Sequence, residues 1–460
     1  MEAAIISSGS FPPIGRAQWL DELRRKPAHP EAPSFADLQL EQLRGAAMGS
    51  DTLGQAGAGW AIVQRIDDVD PKRANAQAQE DVANGATGLA VIFEGAPNAF
   101  GYGLPAKPEA LAAALHNIPL NRVYLRIDVH PSSRASVDWI VELMRRKKVD
   151  PSRLNLSFGI DPAAIFAGNG SLRMSIEALH ASMPQSLAHF FAMGIPAVLL
   201  EADGRVVHNA GGTEAQELGV MLASAVSHLR MFQEARQPLL YAVPHIGFAL
   251  SVDQDTFMSV AKLRALRRLW ARTQEACALP PSPVKVHVET SYRMLSARDA
   301  DTNLVRCTLA AQAAASGGAD TISVLPHTLS LGLPDASSRR VARNMQRVLG
   351  EETGLSFLGD PAAGSEELDL LTASLCEAAW EEFRQIEAEG GIMASLAGGN
   401  VQARVRAARE RRAAEPASGP AADRSTDVQP DQSGTLKAEP RQFVADGVVH
   451  CERLSPIRLG

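Results

Sequence analysis

Short apolar runs recur eight times along this chain, at 61–65, 89–93, 123–129, 154–160, 197–202, 245–252, 284–290 and 321–325, and helix-length stretches separate most of them. The most complete unit is PHIGFALSVDQDTFMSVAKLRALRRLW at 244–270. Its first part is apolar with β-branched and aromatic members. Asp253 and Asp255 then supply turn and capping chemistry, and Val260, Leu263, Leu266 and Trp270 recur at helical spacing. The unit reads as strand, loop and helix. Lys262, Arg264, Arg267 and Arg268 on that helix read as a solvated basic face. Further helices are expected over 73–85, 136–146, 214–230 and 301–315.

Apolar strands alternating with amphipathic helices require a parallel sheet covered on both faces. Eight such units predict an α/β fold closed into a (β/α)8 TIM barrel, with an open doubly wound sheet as the alternative. Around it the sequence suggests an N-terminal arm and linker over 1–45, with a short helix at 18–25, and a barrel with C-terminal helices over 46–412. A disordered linker is expected over 413–442, which is rich in Pro, Ser, Gly, Asp and Gln, and a short remnant tail over 443–460. The glycines of 51–59 precede a strand instead of opening a helix after one, so they are no nucleotide fingerprint.

A net charge of −7 disfavours nucleic acid and anionic membranes as partners. No run of about 18 apolar residues is present, and residues 1–13 lack a basic segment ahead of an apolar one. A cytoplasmic protein without a membrane span is expected. Cys277, Cys307, Cys376 and Cys451 show neither zinc spacing nor a disulfide framework.

In such a barrel the strand ends and the loops that follow them form the C-terminal mouth, where active sites collect. The residues placed there are Gln64, Arg65, Glu94, Asp128, His130, Asp161, Glu201, Asp203, Asp253, Glu289, Thr290, Ser291, His327 and Thr328. The mouth is polar and acidic. No nucleophile and base pair, HExxH motif or metal-ligand cluster emerges from the spacing.

The C-terminal half carries MSVAKLRALRRLW, HVETS, NLVR, VARN, DPAAGS and IEAEGG, the last followed by Met393 and Ala394. In order and spacing, over roughly 50–410, these resemble the substrate barrel of the adenosylcobalamin-dependent acyl-CoA mutases, methylmalonyl-CoA mutase above all. The resemblance implies a barrel opened to admit an acyl-CoA along its axis. It also implies a separate flavodoxin-like domain that ligates cobalt through the histidine of a DxHxxG motif, and that motif is absent from these 460 residues.

Three further departures follow from the resemblance. Arg65 stands where the family has the tyrosine that contacts corrin and substrate, Gly159 where it has a substrate-contacting glutamine, and Val206 where it has the histidine that binds the thioester carbonyl. His208 shares the face of Val206 if that segment is extended. Arg173, in a helix SLRMSI, matches an arginine that pairs with the substrate carboxylate, and His287, Thr290 and Ser291 match the acyl side of the site. The implied protein is the small (beta) subunit of methylmalonyl-CoA mutase, with no catalytic or metal-binding residue of its own. It would stabilise a catalytic alpha subunit in a heterodimer, and that partner would bind the adenosylcobalamin. Two alternatives stay open: a split mutase acting with a separate cobalamin-binding protein, and an acyl-CoA binding module.

Overall fold

The computed structural model describes residues 59–150, 153–194, 196–357, 360–414, 433–441, 443 and 447–458. The chain divides into two units, 1–50 and 51–460, and all described residues belong to the second. The expected arm, its helix at 18–25 and nearly all of the glycine-rich loop lie outside the described residues.

Eight parallel strands close into a barrel: β1 (Ala61–Ile66), β2 (Gly88–Val91), β3 (Tyr124–Ile127), β4 (Leu156–Ile160), β5 (Ala197–Asp203), β6 (Ile246–Val252), β7 (Val286–Thr290) and β8 (Thr321–Ser323). Closure is made where Ala61 pairs with Thr321. The predicted (β/α)8 barrel is therefore observed, and the open sheet is excluded. Outward strand residues such as Leu89, Leu125, Phe158, Phe248 and Val288 pack on Val137, Ile140, Leu222, Leu263 and Trp270 of the surrounding helices in one large cluster. Short polar residues start those helices. Asp70, Asp161, Asp255, Asp299 and Asp335 each accept from backbone N–H groups of a first turn, and Thr213 with Gln216 forms a capping box. No helix among the described residues is long and apolar enough to cross a membrane.

The basic face of the helix Thr256–Ala276 is not solvated. Lys262 and Arg264 are buried, Lys262 Nζ donating to Glu217 at 2.7 Å and Arg264 Nη1 to Asp360 at 2.9 Å. Arg268 Nη2 donates to Asp369 at 3.0 Å, while Arg267 Nη2 donates to the Gly318 carbonyl at 2.6 Å. The physical reason is packing: the helix Glu366–Ala388 lies on Glu214–Glu234 and Thr256–Ala276, with Asp369 in its first turn receiving Arg264 and Arg268, while Glu217 on Glu214–Glu234 receives Lys262.

Part of the stretch assigned to a linker also carries structure. Thr435–Leu436 pairs antiparallel with Leu333–Pro334, and further on Val449–His450 pairs with Ser171–Leu172. Backbone bonds from Arg441 to Gly101, Leu454 to Ala167 and Ile457 to Asn209, each 2.8 Å, fasten this segment around the C-terminal mouth. A polar composition gives no warning of such pairing, because the partners belong to the barrel loops.

Candidate functional site

The inner ends of the strands carry charge, and the charges pair with one another. Arg126 on β3 makes a two-pronged contact with Glu201 on β5, its Nη2 lying 2.5 Å from Oε2, and also reaches Asp128 at 3.0 Å. Arg65 at the end of β1 donates to Asp67 (2.9 Å), Glu289 on β7 (2.7 Å) and the Asn98 carbonyl (2.8 Å). Arg205 donates to Asp203 through Nε at 2.9 Å and Nη2 at 2.6 Å, to Glu289 at 3.3 Å and to Asp128. Contacts among β1, β3, β5 and β7 can be made only through the interior, so this lattice fills the barrel axis below the mouth. All of these side chains are buried.

Burial alone opposes every one of these charges. Against that opposition, Arg205 and Arg126 hold the Asp128 carboxyl well below the usual carboxylate range. Burial likewise works against the Arg126 guanidinium, yet Glu201 raises it above its ordinary value. His287, beside these arginines, is pushed well below the ordinary histidine value by burial and then by Arg126 and Arg205, so it is neutral. Its Nδ1 meets Thr321 Oγ1 at 2.8 Å.

Above the lattice lies a stack. The Arg65 guanidinium sits 5.4 Å from the Phe100 ring centre, Phe100 lies parallel to Tyr292 at 4.1 Å, and Arg458 covers Tyr292 at 5.8 Å. Phe100 adopts φ 51°, the left-handed region that bulky side chains avoid. A cavity of about 580 Å3 remains at this rim, bordered by Glu94, Asn169 and Tyr292 from barrel loops and by Arg441, Phe443 and Arg458 from the C-terminal segment.

The other residues singled out in the sequence have different surroundings. On β4, Gly159 has no room for a side chain, since a Cβ there would lie 2.5 Å from Val129 N. The segment holding Val206 is a helix, Arg205–Asn209, and is not extended. Val206 packs with Ala163, Phe166 and Val220 in a cluster separate from the main core, while His208 turns to Ser291 Oγ (Nε2, 2.9 Å) and Glu217 (Nδ1, 3.2 Å). Thr290 Oγ1 accepts from Leu325 N at 2.8 Å. Arg173 lies in an exposed turn ahead of the helix Ile176–Ala192, not within a helix, because Ser175 provides the cap that starts that helix two residues later.

Ser291, His208 and Glu217 thus follow one another as a nucleophile, a base and an orienting acid would. Each is buried, Ser291 does not border the rim cavity, and Lys262 Nζ donates at 2.7 Å to the same Glu217 Oε2 that faces His208 Nδ1. The chain of contacts ties the end of β7 to the helix Glu214–Glu234. His208, Glu214 and Asp253 also bring ligand atoms within 4.8 Å of one another. Arg293 donates to both Glu214 (2.8 Å) and Asp253 (3.0 Å), so the guanidinium supplies the positive charge that a metal would. No sequence signal pointed to Arg126 or Arg205, whose importance comes from pairing across the barrel.

Comparison with known proteins gives the same direction from several sides. Residues 47–422 match the family model described as methylmalonyl-CoA mutase. The chain is 33% identical over 389 residues to the methylmalonyl-CoA mutase small subunit of Streptomyces virginiae, covering 84% of this chain and 61% of that protein. It is 30% identical over 342 residues to the methylmalonyl-CoA mutase small subunit of Propionibacterium freudenreichii subsp. shermanii, covering 72% of this chain and 51% of that one. The methylmalonyl-CoA mutase large subunit of Streptomyces virginiae, a separate protein, is 33% identical over 217 residues, 46% of this chain and 29% of its own length. The chain therefore spans between about half and three fifths of the length of the small subunits it matches.

Proposed function

Because this chain belongs to the methylmalonyl-CoA mutase family, we propose that it serves as the small (beta) subunit of the adenosylcobalamin-dependent enzyme, performing no turnover and stabilising a catalytic alpha subunit in a heterodimer. The observation that carries this reading is the filled axis. An acyl chain threading the barrel would have to part Arg65 and Arg205 from Glu289, leaving buried charges uncompensated at a cost of about 3–5 kcal/mol. Gly159 offers a thioester no side chain, and Val206 is packed in a side cluster. The separate large subunit of Streptomyces virginiae supports a two-chain enzyme.

Adenosylcobalamin is the cofactor the family implies. In the coenzyme the cobalt–carbon bond supplies the radical chemistry. The described residues of this chain do not fit a corrin: Phe100, Tyr292 and Arg458 cover the mouth, and the three donor nitrogens of Arg65 are already engaged. In this reading the cofactor belongs to the alpha subunit.

The test is to purify the chain alone and together with its alpha subunit, and to assay interconversion of methylmalonyl-CoA and succinyl-CoA with added adenosylcobalamin. The isolated chain should give no turnover, and the pair should co-purify and convert substrate. Turnover by the isolated chain would overturn the proposal, as would an alpha subunit equally active and heat-stable without it.

A further inference from the structure

Outside the barrel, the helices Ser133–Lys147 and Ile176–Ala192 and the turn after Ser171–Leu172 border an open cavity of about 690 Å3. Its wall is largely apolar, with Ile165, Leu172, Met174, Leu179, Met183 and Phe190. Two arginines border it. Arg134 Nη1 donates to Ser182 Oγ at 3.0 Å and its Nη2 to Ser186 Oγ, while Arg173 Nη1 reaches Ser132 Oγ at 3.5 Å. Ser132 and Arg134 belong to the opening turn of one helix, so the contacts of both arginines involve that turn, and both side chains line the cavity.

Among the described residues, neither arginine makes an ion pair with a carboxylate; their partners are hydroxyls and a carbonyl. This contrasts with Arg65, Arg126 and Arg205, each matched to acids inside the barrel. Asp138, which also lines the cavity, is 66% exposed and faces His189 at 3.9 Å. Arg134 is half-buried, and burial lowers its guanidinium below the ordinary value, as expected for a cation drawn from water without a counter-charge. An apolar cavity bordered by two guanidiniums that lack a carboxylate partner is complementary to one ligand chemistry, an alkyl chain with an anionic head that accepts from arginine N–H groups.

We propose that this cavity binds a linear aliphatic carboxylate, its chain among the six apolar side chains and its head between Arg134 and Arg173. The site is distinct from the barrel axis and does not depend on the mutase reading.

Calorimetric titration of the full chain with sodium decanoate, kept below micelle-forming concentrations, tests it. Saturable binding of one decanoate per chain is expected, with decanol weaker by tenfold or more. The Arg134→Gln, Arg173→Gln double variant should weaken decanoate tenfold or more and leave decanol unchanged, and Met183→Trp should abolish both by filling the chamber. Because Arg134 ties two helices together, Arg173→Gln alone, in an exposed turn, provides the variant that keeps the fold, and should weaken decanoate at least threefold. Absence of saturable decanoate binding to the unaltered chain would overturn the proposal. So would equal decanoate affinity in the unaltered chain and Arg173→Gln when circular dichroism shows both folded.

Discussion

Arg65 Nη1 lies 2.7 Å from Glu289 Oε2, joining the ends of β1 and β7 across the intervening β8. The contact can form only if both side chains point inward. In the same interior, Glu289 also receives Arg205 at 3.3 Å, so one carboxylate serves two guanidiniums.

Removing that carboxylate should be costly. Glu289→Ala leaves two buried cations short of a partner, and an unfolding free energy lower by about 3–5 kcal/mol is expected from urea denaturation. Arg65→Met combined with Glu289→Leu should lose less than the sum of the two single changes by at least about 1 kcal/mol, the mark of direct coupling.

Phe100 separates backbone strain from ring contact. Phe100→Ala loses the stack on Tyr292 and keeps a left-handed backbone at φ 51°, whereas Phe100→Gly loses the stack and relieves the strain. The glycine variant should be the more stable of the two by about 1 kcal/mol, measured as a difference in urea midpoint at a common slope.

Buried histidines contribute an acid limit, His130 and His228 among them. Burial pushes His130 down to about 3 and His228 down to about 4, against an unfolded value near 6.5. Above about pH 6.5 both states hold these rings neutral and stability does not respond. Below it the unfolded chain takes up protons that the folded chain refuses, so stability falls by about 1.4 kcal/mol per pH unit for each ring until the folded values are reached. Asp128 does not respond between pH 7.5 and 5.5, since its carboxyl is held low and its contribution is lost only as pH falls through the ordinary carboxylate value and below. His130→Leu should remove one share of the slope between pH 7.5 and 5.5. Identical slopes for that variant and the parent would refute the assignment.

Gly95 holds the C-terminal segment down. It has φ 79°, and a Cβ there would lie 2.8 Å from the Phe443 ring. Gly95→Ala should displace Phe443 and raise the rate of limited proteolysis within 443–458 several-fold, while the barrel's own fragments stay intact on a gel.

The barrel is legible in the sequence because each strand carries its own apolar run and each is buried on both faces. The burial of Lys262 and Arg264 is not, since their partners, Glu217 for Lys262 and Asp360 and Asp369 for Arg264, lie 45, 96 and 105 residues away and leave no trace in their helix's own pattern. Asp128, Glu201, Asp203 and Glu289 are legible as mouth residues from their places at strand ends. Their partners are not: Arg126 sits within β3 and Arg205 in a five-residue helix too short to show a period. Val206 and His208 would share a face only in an extended segment, and that short helix sends them to different neighbours.

The lattice also bears on how the chain finds its fold. Arg65, Arg126 and Arg205 each have an acid two residues away, but Glu201 and Glu289 are reached only across the barrel, so the lattice is complete only once the strands have assembled. A slip of one residue in any of β1, β3, β5 or β7 would turn a charged side chain outward into the apolar helical shell and strand its partner inside. Charge pairing on the axis therefore works as a register check, and a misaligned barrel is penalised before it can compete with the native one.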